Sequence, residues 1–198
     1  MLAYVFWHRP AAGVAAADYE RDLIAFHRSL AHQPPSGLLG SAALRASELP
    51  WLDGGEGPGG YEDWYLLESW SAVGVLEAAA VSRGHVSAHD RAARHAGSGT
   101  GAIYKRVEGE ADPTSARSAV WVSRPSGQTD PTMADLLEDG MEADEGALWR
   151  RCLVLGPAPE FCLLGGESES GTITGTAASR LPAGWTAAVA KREPIADA

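Results

Sequence analysis

All six histidines of this 198-residue chain, His8, His27, His32, His85, His89 and His95, fall before residue 96. Imidazole is the side chain best suited to moving protons near neutral pH, so a site that does such chemistry belongs to the first half. His8 closes an aromatic run, Tyr4-Val5-Phe6-Trp7-His8-Arg9. Alternation along a strand puts Tyr4, Phe6 and His8 on one face and Val5, Trp7 and Arg9 on the other, and either face could line a pocket. His8 is then a proton-transfer group at a cavity rim, or a strand-end histidine bonded to the backbone. His27 follows Leu23 by one helical turn and borders a buried stripe. His85 and His89 are also one turn apart, with Asp90 and His95 nearby, but no Glu follows the first histidine as in a zincin, and a solvated helix face is the better reading. No metal and no cofactor is expected.

The third run of strand formers supplies a second aromatic set. Tyr61, Asp63, Tyr65 and Leu67 share one face, and Glu62, Trp64, Leu66, Glu68 and Trp70 the other, with Glu62 and Glu68 expected in water at the strand ends. Seven tryptophans are many for this length. Tyr4, Phe6, Trp7, Trp64 and Tyr65 are the candidate ligand-binding residues, since large apolar rings with a polar handle suit a flat ligand. The competing use is to fill a core.

These residues need a scaffold, and the chain contains one written twice. Its only lysines, Lys105 and Lys191, each stand in a Lys-Arg pair closing an apolar run, and each half opens on a strand ending in Arg-Pro, at Arg9-Pro10 and Arg124-Pro125. In the first half, strands at residues 2–9, 38–46, 61–70 and 101–107 alternate with a helix of period Tyr19, Leu23, Phe26 and Leu30, capped by Asp18 and stopped by Pro34-Pro35, and with a helical stretch over 72–96 loosened at Gly84. Ser69 or Ser71 caps that stretch. The order β-α-β-β-α-β is that of the ferredoxin-like unit. The second half repeats it with strands at 118–123, 148–155, 161–165 and 185–192 and a helix at 132–141. Residues 166–176 are too poor in helix formers to supply the last helix in full. The organisation is a first unit at 1–109, a linker at 110–117 and a second, degenerate unit at 118–198. The fold class is α+β, two fused βαββαβ units forming an α/β barrel.

With Phe26-His27-Arg28-Ser29-Leu30 in the first helix, these features resemble the dimeric α/β-barrel superfamily, which includes antibiotic-biosynthesis monooxygenases, EthD-like proteins and stress-responsive barrel proteins. The resemblance implies that the tandem copies close one barrel, with a pocket between sheet and helices for a small hydrophobic or aromatic molecule. It points to His27, which resembles the helix-one histidine of EthD-like sequences, although Ser29-Leu30-Ala31-His32 departs from the usual pattern there. The expected function is a cofactor-independent monooxygenase-like or isomerase-like enzyme in which His27 or His8 abstracts a proton. The alternative is a noncatalytic ligand-binding or stress-associated barrel.

Composition bounds the partners. A net charge of −10 opposes nucleic acid and anionic membranes. No apolar run has membrane-spanning length, and Met1 to Trp7 lacks the basic start of a secretion signal, so a cytoplasmic protein is expected. Cys152 and Cys162 flank Gly156-Pro157-Ala158-Pro159 symmetrically; a hairpin there would let them face each other, though two reduced, buried thiols suit a cytosolic chain better. The Gly97-Ser98-Gly99-Thr100-Gly101 run reads as a connection, because it lacks the strand-loop-helix order of a phosphate cradle. An uncovered second sheet would make the second half a homo-oligomer interface.

Overall fold

The computed structural model describes residues 1–52, 59–82, 84–132, 146–165 and 181–195. Its strands are β1 (Leu2–Pro10), β2 (Leu38–Ala46), β3 (Gly60–Leu67), β4 (Ala96–Gly109), β5 (Ser118–Ser123), β6 (Ala147–Val154), β7 (Phe161–Leu164) and β8 (Thr186–Pro194). The helices are α1 (Ala16–His32), α2 (Trp70–Ala80) and α3 (Val86–His95). The eight strands pair antiparallel in the closed order β1-β3-β2-β8-β5-β7-β6-β4. Closure removes every sheet edge.

Strand alternation divides the apolar side chains into two layers. Ala3, Val5 and Trp7 of β1, Trp64 and Leu66 of β3, Tyr104 of β4, Trp121 of β5, Trp149 of β6 and Cys162 of β7 point inward and form one buried cluster. Indoles fill the barrel axis: the Trp7 ring centroid lies 5.0 Å from that of Trp121, nearly perpendicular, and Trp64 meets Trp149 edge-on at 5.6 Å. The barrel is therefore a packed core and not a channel.

Glu62 lies inside that core, contrary to its expected place in water. It and Arg192 are both fully buried, with Arg192 Nε 2.9 Å from Glu62 Oε2. Trp64 Nε1 donates to the same oxygen and Trp121 Nε1 donates to Oε1 at 3.0 Å. The remaining guanidinium nitrogens of Arg192 donate to the carbonyls of Ala116 and Pro113, each at 2.9 Å. Each charge of the pair is thus met by several polar groups, which is the condition under which an ion pair survives burial. The pair also ties the final strand to β3 and to the 110–117 segment. Its counterpart Arg106 instead meets Glu110 near the surface.

The three helices cover the outer face of β4-β1-β3-β2. α1 lays Tyr19, Leu23, Phe26, His27 and Leu30 against that sheet. Its N-cap is Ala15 with no side-chain hydrogen bond, and Asp18 sits within the first turn, so this residue favours the helix dipole without capping it. Gly84, at φ 110°, divides the second helical stretch into α2 and α3. The glycine run at 97–101 is no connection but the start of β4. The outer faces of β5, β6 and β7 bury a separate cluster of Val120, Val122, Leu148, Phe161 and Leu163, packed against Leu181, Trp185 and Val189. The second-half helices expected at 132–141 and within 166–176 fall, Thr132 apart, outside the described residues.

The two cysteines do not face each other. In the β6–β7 pairing Cys162 lies opposite Trp149, and both thiols are free, Cys152 exposed and Cys162 buried. No helix of the described residues is long and apolar enough to cross a membrane.

Candidate functional site

Between the helices and the outer face of β1, β3 and β4 lies a cavity of about 610 Å³. Tyr4, Phe6 and His8 reach it from β1, Asp63 and Tyr65 from β3, and Tyr19, Leu23 and Phe26 from α1. Leu76 and Ala80 of α2 and His89 and Ala92 of α3 form the roof. Leu153 and Leu155 bring two apolar side chains from the second half. The exposed Val81, Glu77 and Leu155 mark its outer end.

The polar groups converge on Asp63. The β1–β3 register sets Phe6 opposite Asp63, His8 opposite Tyr61 and Tyr4 opposite Tyr65, so the outer face carries one carboxylate among rings. Asp63 Oδ2 lies 3.2 Å from His8 Nε2, and Oδ1 lies 3.4 Å from His27 Nε2. Both contacts are at ion-pairing distance but bent, so Oδ1 and the two Nε2 atoms lack an aligned hydrogen-bond partner. The Tyr65 hydroxyl donates to Oδ2 at 3.2 Å. On their far sides, His8 Nδ1 is 2.6 Å from the Tyr19 hydroxyl and His27 Nδ1 is 2.9 Å from Ser41 Oγ. With Nε2 protonated toward Asp63 in each ring, Nδ1 accepts from the hydroxyl.

The electrostatics follow from that arrangement. Burial works to raise the Asp63 carboxyl, but attraction to His8 and His27 overcomes it and holds the group well below the usual carboxylate range. The tyrosines move the other way. Burial, then the Asp63 and Glu77 charges, push the Tyr4 phenol up to about 12. Burial and Asp63 also raise Tyr19 and Tyr65 well above the ordinary phenol value. Their hydroxyls stay protonated at neutral pH and serve as donors.

The candidates named from the sequence separate cleanly. Tyr4, Phe6, His8 and Tyr65 stand on the cavity wall. Trp7 and Trp64 do not: they are fully buried inside the barrel, because their strand positions have the opposite parity. His27 is fully buried behind Asp63 and Tyr65, stacking on the Tyr65 ring at 5.2 Å, and does not border the cavity. His85 and His89 turn apart, His85 to Ser29 Oγ and His89 edge-on to Phe26. Among the described residues no three His, Cys, Asp or Glu side chains gather as a metal site. Asp63 and Tyr19 were missed as functional candidates. The legible signal for Asp63 was parity, since it is the sole acid between Tyr61 and Tyr65 on the cavity face of β3.

No family model matches the chain, and no curated protein matches it. Among solved structures it is similar to a protein of Lactobacillus acidophilus NCFM provisionally named a monooxygenase, at 10% identity and a TM-score of 0.53, over 98% of this chain and 94% of that one. It also aligns with an anthrone oxidase-like protein at 9% identity and a TM-score of 0.49, over 99% and 94% of the two chains. At these identities the likeness concerns the fold, a closed eight-stranded antiparallel α+β barrel.

Proposed function

We propose that this chain is a monooxygenase-like enzyme that works without a bound cofactor on a neutral, electron-rich aromatic molecule. One observation carries the reading: the chain of contacts Asp63–His8–Tyr19 ends at an apolar cavity large enough for a small ligand. Tyr19 takes an acidic C–H proton from the substrate and hands its own to His8 Nδ1. Asp63 stabilises the imidazolium so formed, and His27, Tyr65 and Ser41 hold that carboxylate and its neighbours in place. The substrate carbanion reduces dioxygen, the co-substrate, and forms the new C–O bond, and the peroxide anion so formed takes the proton back from the His8 imidazolium through Tyr19. Loss of water from the resulting hydroperoxide gives the carbonyl, so that one CH2 and one O2 become one C=O and one H2O.

The strand orders β4-β1-β3-β2 and β8-β5-β7-β6 support the further reading of two fused ferredoxin-like units, at 1–109 and 118–198, of which the first carries the polar site. Exposed Leu153, Val154 and Leu155 on and just beyond β6 support association through the second half, which sedimentation equilibrium tests directly.

The test of function is oxygen uptake with polycyclic phenols and ketones that carry an acidic ring C–H. Turnover should consume one O2 per carbonyl formed, without added metal, flavin or nicotinamide. Ligands that bind in the cavity and are never oxidised, or a His8→Ala variant as fast as the parent, would overturn the reading.

A further inference from the structure

The alternation Gly97, Gly99, Gly101 on β4 has a use that the proton-moving groups do not explain. These glycines share the outer face with Ile103, while Ala102 and Tyr104 point into the barrel. β1 runs beside them with His8 opposite Gly99 and Phe6 opposite Gly101. A Cβ on Gly99 would come within 2.9 Å of Phe6 Cε2 and nearer still to the ring tip. On Gly101 it would stand 2.8 Å from Tyr4 Cε2 and 3.0 Å from the hydroxyl oxygen. Neither glycine has a positive φ, so the backbone makes no demand for glycine there. What these positions require is space.

We propose that Gly99 and Gly101 are specificity-determining positions: their missing side chains let the Phe6 and Tyr4 rings lie over β4 and so keep the cavity wide enough for a planar, fused-ring ligand. The rings cannot retreat along the sheet, because Phe6 stacks on His8 at 5.2 Å and Tyr4 on Tyr65 at 5.8 Å. A methyl group on β4 would therefore tip a ring tip outward, into the space a ligand needs. Both rings are only partly buried and border the cavity, which leaves that direction open. The inference rests on the same cavity as the proposed function but not on its chemistry.

Binding of phenol, 2-naphthol and 2-hydroxyanthracene, measured anaerobically by quenching of intrinsic fluorescence, tests it without turnover. The parent should bind more tightly as rings are added. Gly99→Ala should weaken the three-ring ligand about tenfold or more, as one misplaced methyl in a pocket does, and change phenol less than about twofold. Gly99→Ala combined with Phe6→Ala should recover the three-ring affinity, because the obstructing ring is gone. A Gly99→Ala protein that keeps the parent's ranking and affinities overturns the proposal, as does a double variant that fails to recover. Should Gly99→Ala not fold, Phe6→Ala alone decides: increased preference for the three-ring ligand supports the proposal, and an unchanged or reduced preference defeats it. Loss of oxygen uptake with intact ring selectivity would overturn the proposed function and leave this inference standing.

Discussion

Asp63 Oδ2 lies 3.2 Å from His8 Nε2, with both side chains almost wholly out of solvent. The strands fix this separation. His8 and Asp63 sit diagonally across the β1–β3 ladder, two residues apart in register and on the same outer face. The contact belongs to the sheet, and so it should persist whether or not a ligand is present.

Its first consequence is acid sensitivity. The folded-state pKa of Asp63 is depressed, so its contribution to stability is present above the unfolded carboxylate value of about 4 and is lost as pH falls below that toward the folded value. Urea midpoints followed by tryptophan fluorescence should decline below about pH 4 in the parent. Asp63→Asn should be less stable at pH 7 and should show a flatter decline. Equal slopes in the two proteins would show that other carboxylates govern acid unfolding.

The Tyr19 hydroxyl is the second handle. Tyr19→Phe removes the partner of His8 Nδ1, 2.6 Å away, and leaves the apolar ring in place. On the proposed mechanism kcat should fall by about 10² to 10⁴, the span of a lost proton-transfer group, while KM changes little. A variant whose KM rises with kcat intact would assign the hydroxyl to binding.

Much of this arrangement is legible in the chain. Strand parity correctly set Tyr4, Phe6 and His8 on one face, and the limits of β2 and β5 follow directly from their flanking turn residues. Parity alone could not say which face looked into the barrel, and so Trp7 and Trp64 were grouped with rings that lie on the other side of the sheet. Glu62 shows a different limit. A glutamate in a strand reads as solvated until the distant Arg192 is known to lie 2.9 Å away, and no local pattern announces a pairing between β3 and the last strand. His27 was legible as a residue bordering the buried stripe of α1, but its full burial and its partner Asp63 come from a strand that the helix spacing does not address.

The Glu62–Arg192 pair makes a third prediction. Removing one charge strands the other among indoles, and Glu62→Leu or Arg192→Met alone should cost about 3–5 kcal/mol. The double variant Glu62→Leu/Arg192→Met should be markedly less destabilised than the sum of the two single effects. Guanidinium denaturation of the four proteins supplies the cycle; simple additivity would mean that the two groups act independently despite their contact.

The thiols answer a fourth question. Cys152 is exposed, whereas Cys162 is buried and desolvation pushes its thiol up. A disulfide-exchange reagent should titrate one thiol per native chain quickly and the second only in denaturant. Release of no thiol under native conditions would mean that Cys152 is covered or bridged.

The separation of the two aromatic layers is tested by a pair of truncations. Trp7 lies in the barrel, fully buried, with Trp51, Tyr104 and Trp121 as ring neighbours. Trp7→Ala should therefore cost about 3–5 kcal/mol in stability. Phe6, the next residue along the chain, faces the cavity and is only partly buried. Phe6→Ala should cost much less, since a side chain beside an open cavity gives up fewer contacts, and should instead change which ligands bind. Thermal unfolding and naphthol titration of both variants give the four values needed. If Trp7→Ala altered ligand choice while keeping its stability, the inward layer would be part of the binding site after all, and the packed barrel axis would have to open in solution.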